Sequence, residues 1–338
     1  MISFKSRIRD MAKAIKYDFA AIGGATQDIS FFTDAGILLD NRRDVLRQKL
    51  LAFEQGAKVG IDKFHYTYGG GAANAVVNLA NFGFKTVCLA AVGDDAPGEG
   101  IRRNLKDRGV SLAGLQVRKK EDSGFSFILI SPSGERIIFS QRGANANFSL
   151  GRKELAVLKQ SRQAYIASLS GDWLPLLRRI FSLPGLEISW NPGAAQYAAG
   201  LEKLAPFIRQ TKVFALNQDE AIELVISSKS RRPSRDFLDR TDNLLREIKS
   251  FGPQIVVITQ GAKGVAAYDG QKIYRHAILK EKKRLDTTGV GDIFNSSFVA
   301  GLSLYDGDIN RALALGLRNT ASKIGHLGAQ NGLIRINM

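Results

Sequence analysis

The 338-residue sequence holds a single cysteine, Cys88, and only three histidines, His65, His276 and His326. One thiol excludes an internal disulfide framework and points to a reducing compartment. Cys88 lies in the apolar run Thr86 to Val92 and reads as a small buried hydrophobe. These four residues stand at no metal-ligand spacing, which argues against a zinc site. No apolar run approaches the roughly 20 residues of a membrane-spanning helix, and no hydrophobic signal core opens the chain, so a cytoplasmic protein without a membrane partner is expected. A Walker P-loop is missing because no Gly-Lys precedes Ser or Thr. The first strand is followed by no Gly-x-Gly-x-x-Gly, and there is no Gly-x-Ser-x-Gly nucleophile elbow. P-loop ATPases, dinucleotide-dependent dehydrogenases and serine hydrolases are thereby poor fits.

What the sequence has in excess is positive charge. Forty-eight Lys and Arg against 32 Asp and Glu leave a net charge of +16, which favours anionic partners such as nucleic acid, a membrane surface or a phosphorylated small molecule. The basic residues gather in Lys5 to Lys16, Lys229 to Arg235 and Lys280 to Arg284. No nucleic-acid motif or run of stacking aromatics accompanies them, so they read as solvated surface and nucleic acid is not the expected partner. Ile8, Met11, Ala12 and Ile15 recur at helical spacing, making residues 1–16 a basic extension: a short amphipathic helix, or a translated leader with Met11 as an alternative start.

From residue 17 to 338 a single domain is expected, because 44% hydrophobic residues fill a core and no linker or repeat divides it. Phe19 to Gly24 reads as a buried first strand, residues 72–82 as a helix closed by Gly83, and Lys85 to Val92 as the next strand. After Phe148 strands and helices alternate to the end: strands at 164–168, 186–190, 213–216 and 255–259, a hairpin at 265–276, and closing helices at 289–304 and 309–323. Such alternation implies a mostly parallel sheet with helices on both faces. Two stretches break the pattern. Residues 29–68 are too long for an ordinary connection and contain strand-like segments at 29–33 and 58–68. Within 114–142, Gly124 to Ile130 and Arg136 to Ser140 flank a Pro-Ser-Gly turn and read as a β-hairpin. The two excursions would meet as a small lid, with Phe64 and Tyr66 either lining the pocket or, the preferred reading, packing the flap, and its exposed strands would offer a route to a homodimer.

Ligands of a parallel α/β sheet bind beyond the carboxyl ends of the strands. That rim holds Gly23 to Asp28, Gly69 to Asn74, Asn217 to Glu220, Thr259 to Gly264 and Leu285 to Phe298. In the last of these a glycine-rich turn runs into a helix. The first turn of such a helix offers unpaired N–H groups to an anion, and glycine lets a phosphate approach the backbone. The acid in that turn, Asp292, serves either the helix dipole or catalysis. A turn residue is the lesser reading of Asp28 and a first-turn helix acid the lesser reading of Glu220, whereas Lys263 reads as a solvent-exposed side chain.

Asp286-Thr-Thr-Gly-Val-Gly-Asp-Ile-Phe294 resembles the C-terminal signature of the ribokinase-like (PfkB) carbohydrate and nucleoside kinases, and Gly69-Gly-Gly-Ala-Ala-Asn74 with Leu79 to Gly83 resembles their N-terminal one. Gly93-Asp-Asp95 with Gly98, Gly143 to Ala146, Asn217 with Glu220, Thr259 to Gly264 and Gly328-Ala-Gln330 extend the likeness over residues 17–332. The resemblance implies a ribokinase-like α/β fold and an ATP-dependent, Mg²⁺-requiring kinase. It would phosphorylate a primary hydroxyl of a sugar, with a nucleoside as the second choice of acceptor. It implies Asp292 as base and the backbone of Gly289, Val290 and Gly291 as anion hole. Asp28, Gly70, Gly71 and Asn74 would hold sugar hydroxyls. Asn217, Glu220, Thr259, Gly261, Gly264 and Asn319 would serve the nucleotide, Asn319 beside the adenine. Glu220 would act on Mg²⁺ through water, and Asp286, with carbonyls near Gly328, would bind a monovalent cation such as K⁺. Two departures stand out: Val290 where alanine is usual and Ser297 where glycine commonly packs. From a different class, a non-catalytic sugar-sensing or nucleic-acid-binding protein on the same fold is the remaining reading.

Overall fold

The computed structural model describes residues 15–41, 49–61, 63–130, 136–228, 233–281 and 284–336. Most of the basic N-terminal extension and the Pro-Ser-Gly turn therefore lie outside the described residues.

Strand Tyr17–Ile22 is buried along almost its whole length. Tyr17, Ala20 and Ile22 join one hydrophobic cluster, while Phe19 and Ala21 join another. A strand whose alternate residues enter two separate cores must lie inside a sheet covered on both faces. It pairs in parallel with Ser161–Ile166 on one side and Thr86–Leu89 on the other. From Ser161–Ile166 the sheet continues in parallel through Glu187–Trp190, Val213–Asn217 and Ile255–Thr259. The antiparallel strands Val265–Tyr268 and Ile273–His276 finish it, giving eight strands in all. One core contains Trp190, Tyr197, Phe207 and Phe214. The other contains Phe19, Phe82, Phe294 and Phe298, so helices Gly71–Asn81 and Val290–Leu304 cover the same face. Helix Ile309–Ile324 packs against Val290–Leu304. Cys88 is buried within this second core, as its apolar run implies.

The two excursions do meet. Strands Arg136–Gln141, Gly124–Ile130, Thr26–Phe32 and Phe64–Gly69 form a separate four-stranded sheet in that order. Thr26–Phe32 runs parallel to Gly124–Ile130 and antiparallel to Phe64–Gly69. The expected strand at 58–68 contracts to Phe64–Gly69, and an unforeseen hairpin forms from Ile37–Asp40 and Lys49–Ala52. Phe64 and Tyr66 do not pack inward: they are 59% and 63% exposed and stack edge-to-face on each other. The small sheet presents Asp28 and Ser30 to the protein interior and these aromatics to solvent, which is the one-sided burial that a period-2 pattern permits.

Candidate active site

Gly289 caps helix Val290–Leu304 with φ of 70°, a left-handed conformation that side chains rarely adopt. A Cβ there would stand 2.5 Å from that of Ala329 and 3.1 Å from Asn74 Nδ2. The turn before it is fixed by Asp286, whose buried carboxylate accepts from the Thr288 N–H at 2.7 Å and the Gly328 N–H at 2.8 Å. Thr287 accepts the Val290 N–H at 3.3 Å. Gly291 is exposed on the cleft, with open space where its Cβ would be.

Asp292 follows, half-buried in the first helical turn. Its Oδ2 accepts from Asn74 Nδ2 at 2.8 Å. Asn74 belongs to helix Gly71–Asn81 and receives a hydrogen bond from Gln330 Nε2 at 3.3 Å. A Cβ on Gly71 would lie 3.4 Å from Asp292 Oδ1, so the two glycine-rich helix starts face each other. Burial raises the Asp292 carboxyl above its ordinary range, and the Asn74 bond and the Arg136 charge offset part of that rise. Asp28 stands on the inward face of the small sheet. Burial pushes its carboxyl up to about 6 against the hydroxyls of Thr26 and Ser126, and the charges of Asp286 and Asp292 add to the rise. Gly69 is obligatory opposite it: a Cβ would come within 1.9 Å of Asp28 Oδ2.

Beside this acidic corner opens a cleft of about 390 Å³. Asn217, Thr259, Gly261, Gly264, Val290 and Gly291 all line it. Leu317, Thr320, Ala321 and Ile324 of helix Ile309–Ile324 and Arg136 are also among the residues of its wall. Asn217 and Glu220 form a capping box, Asn217 Oδ1 accepting from the Glu220 N–H at 2.9 Å and Glu220 Oε2 from the Asn217 N–H at 2.8 Å. The first-turn role of Glu220 is thus realised. Burial pushes its carboxyl up to about 7, and Asp292 and Asp219 add to the rise while the Asn217 and Tyr197 hydrogen bonds oppose it. Lys263 is solvent-exposed.

The family model for pfkB carbohydrate kinases matches residues 43–336. The chain belongs to that family. It is 26% identical to the ribokinase of Haemophilus influenzae over 80% of this chain and 85% of that one. It is 25% identical to the ATP-dependent ribose-1-phosphate kinase of Halopiger xanaduensis over 78% of this chain and 82% of that one. Among solved structures, the Burkholderia thailandensis nucleoside kinase in complex with inosine superposes with a TM-score of 0.76 at 17% identity, covering 93% of this chain and 94% of that one. The protein is an ATP-dependent sugar kinase of the ribokinase fold, as the resemblance implied.

Two residues of the expected nucleotide set, Glu220 and Asn319, are not among those lining the cleft. Asn319 does not reach the cleft. It is fully buried, donating to Asn78 Oδ1 at 2.6 Å and Ser297 Oγ at 2.9 Å, and accepting the Ile334 N–H at 2.8 Å. Leu317, Thr320, Ala321 and Ile324 mark the cleft face of that helix, and at 100° per residue Asn319 points about 160° away from Ala321 and Leu317 on average. The same network explains Ser297: a glycine there would leave Asn78 and Asn319 short of an acceptor. In the other direction, Arg136 joins the site unforeseen. It begins the last strand of the small sheet, donates to Thr287 Oγ1 and lines the cleft. A single arginine at a hairpin strand's start carries no local signal of this, because its partner is 151 residues away.

Proposed function

We propose that the protein transfers the γ-phosphoryl group of ATP to a primary hydroxyl of a ribose- or fructose-like sugar held between Asp28 and Asp292. The observation that carries this is the 2.8 Å bond from Asn74 to Asp292. It joins the residues assigned to the sugar with those assigned to the phosphate, at the mouth of a cleft large enough for a nucleotide. Asp28, Gly70, Gly71 and Asn74 bind the sugar hydroxyls, a carboxylate accepting from two neighbours at once. Asp292 takes the hydroxyl proton as the acceptor oxygen bonds to the γ-phosphorus and the bond to ADP breaks. In a loose transition state that proton moves late, so positioning and charge dominate. The backbone of Gly289, Val290 and Gly291 faces the transferring oxygens, with the Val290 N–H released from its 3.3 Å bond to Thr287, and Arg136 adds a full positive charge beside them.

Thr259, Gly261 and Gly264 line the ATP cleft. Among the described residues no group of three or more His, Cys, Asp or Glu forms a metal cage. Asn217 and Glu220 fit a metal ion held through water: Glu220 stands in a locally acidic, buried setting whose charge a cation offsets. When bound, Mg²⁺ supplies neutralisation of the nucleotide phosphates. The small sheet closes as a lid over the sugar and excludes water, with its exposed aromatic face as the surface for a second copy of the chain.

The test is a coupled ADP-release screen over ribose, fructose, phosphorylated ketoses and common nucleosides. Sugar-dependent turnover is expected, falling at least ~10³-fold in Asp292→Asn with ADP affinity retained. Undiminished turnover in that variant would sink the assignment, and preference for nucleosides would select the nucleoside-kinase reading. Salt-dependent binding to random duplex without turnover of any acceptor would favour the non-catalytic one.

A further inference from the structure

Behind the turn that carries Gly289, a lysine is sealed inside the protein. Lys323, in the last turn of helix Ile309–Ile324, has no exposed surface. Its Nζ donates to the Asp286 carbonyl oxygen at 2.7 Å and lies 3.7 Å from Asp286 Oδ2. Asp286 is equally buried, and its carboxylate is held from the other side by the N–H groups of Thr288 and Gly328. The Leu285 and Asp286 N–H groups both reach the Ile324 carbonyl, at 2.9 and 3.2 Å, so the helix end that supplies the lysine is fastened to the segment that receives it.

The ammonium therefore touches both the carbonyl and the carboxylate of the one residue that the resemblance gave to a monovalent cation. A metal ion drawn to those oxygens would meet a buried like charge at contact distance, and a buried charge without a counter-ion is strongly disfavoured. The carbonyl oxygen and Oδ2 of Asp286 already face a cation of the chain's own. We propose that Lys323 is the resident cation of this turn and a positioning residue for the anion hole, which makes phosphoryl transfer independent of K⁺. It neutralises Asp286 and fixes the carbonyl from which the chain runs directly into Thr287, Thr288 and Gly289. This role rests on the phosphotransfer reading above.

The experiment compares sugar-dependent ADP release in tetramethylammonium and in K⁺ at equal ionic strength, together with the thermal midpoint in each salt. The wild-type protein is expected to turn over within about 2-fold in the two salts and to show no K⁺-specific rise in midpoint. Lys323→Met, which keeps the length and loses the charge, is expected to lower kcat about 10–100-fold with ADP affinity changed less than about 3-fold. Lys323→Ala is expected to fall similarly, to recover about 10-fold with K⁺ or methylammonium, and to gain a K⁺-specific rise in midpoint. Saturable activation of the wild-type protein by K⁺, a K⁺-specific rise in its midpoint, or full kcat in the methionine variant would overturn the proposal. The midpoint comparison decides without turnover, so it stands apart from failure of the kinase assay and from any variant that does not fold.

Discussion

On the side proposed for the nucleotide the site is an open cleft lined by Gly261, Gly264, Val290 and Gly291. On its acceptor side it is a closed corner of side chains, Asp28, Asn74 and Asp292, with carboxyls raised by burial. Backbone amides recognise a phosphate that every ATP carries, so that side can be generic and exposed. On the proposed assignment, Asp28 of the small sheet with Asn74 and Asp292 of two helices recognises one arrangement of hydroxyls, and selectivity grows with desolvation, because a buried polar group left unpaired costs about 1–3 kcal/mol. On that assignment substrate choice belongs to the buried side and donor choice to the open one.

Arg136 is the residue that crosses between the two, since it rises from the small sheet and ends in the nucleotide cleft. Arg136→Met is expected to lower kcat about 10–100-fold, on the scale of a lost transition-state charge contact, with ADP affinity in calorimetry changed less than about 3-fold. An equal loss of ADP affinity would place it with the donor alone. A smaller effect separates the acceptor side by pH. Asp28 holds its proton up to about 6 in the folded protein against an ordinary 3.8. Its contribution to stability is therefore full below about 3.8, lost as pH rises to about 6 and flat above, on the order of 3 kcal/mol. Acceptor binding runs the other way, because only the ionised carboxylate accepts from two hydroxyls, so kcat/KM for the sugar rises around pH 6. Asp28→Asn should flatten the denaturation profile there and weaken the acceptor without moving KM for ATP. The least effect on catalysis is expected from Asn319→Ala. It removes buried hydrogen bonds and costs about 1–3 kcal/mol in urea unfolding, while KM for ATP stays within about 2-fold.

The legible parts of this molecule were those written in local pattern. The strand-helix alternation gave the large sheet, and the glycines of Gly69–Gly71 and Gly289–Gly291 marked places where a Cβ would collide with backbone or with Asp28 and Asn74, or would stand in the way of a phosphate. The hairpin of Gly124–Ile130 and Arg136–Gln141 was equally plain from its period. Long-range partners were not. Asn319 and Lys323 occupy one helix, and nothing in a 16-residue polar and apolar alternation says that the first meets Asn78 and the second meets Asp286. A buried lysine in particular reads as solvent-facing until its counter-charge is placed. Phe64 and Tyr66 misled in the opposite sense, since aromatic strand residues usually signal a core, and the small sheet has only one.

The Asn74 to Asp292 bond spans 218 residues of chain, and it has a kinetic meaning as well as a chemical one. Loop closure over such a distance is slow and comes late. Helix Val290–Leu304 and helix Ile309–Ile324, made long after the acceptor loop, must dock before the base meets its partner. On the proposed assignment, a chain in which this contact has not formed holds Asn74 apart from Asp292 and lacks the assembled site.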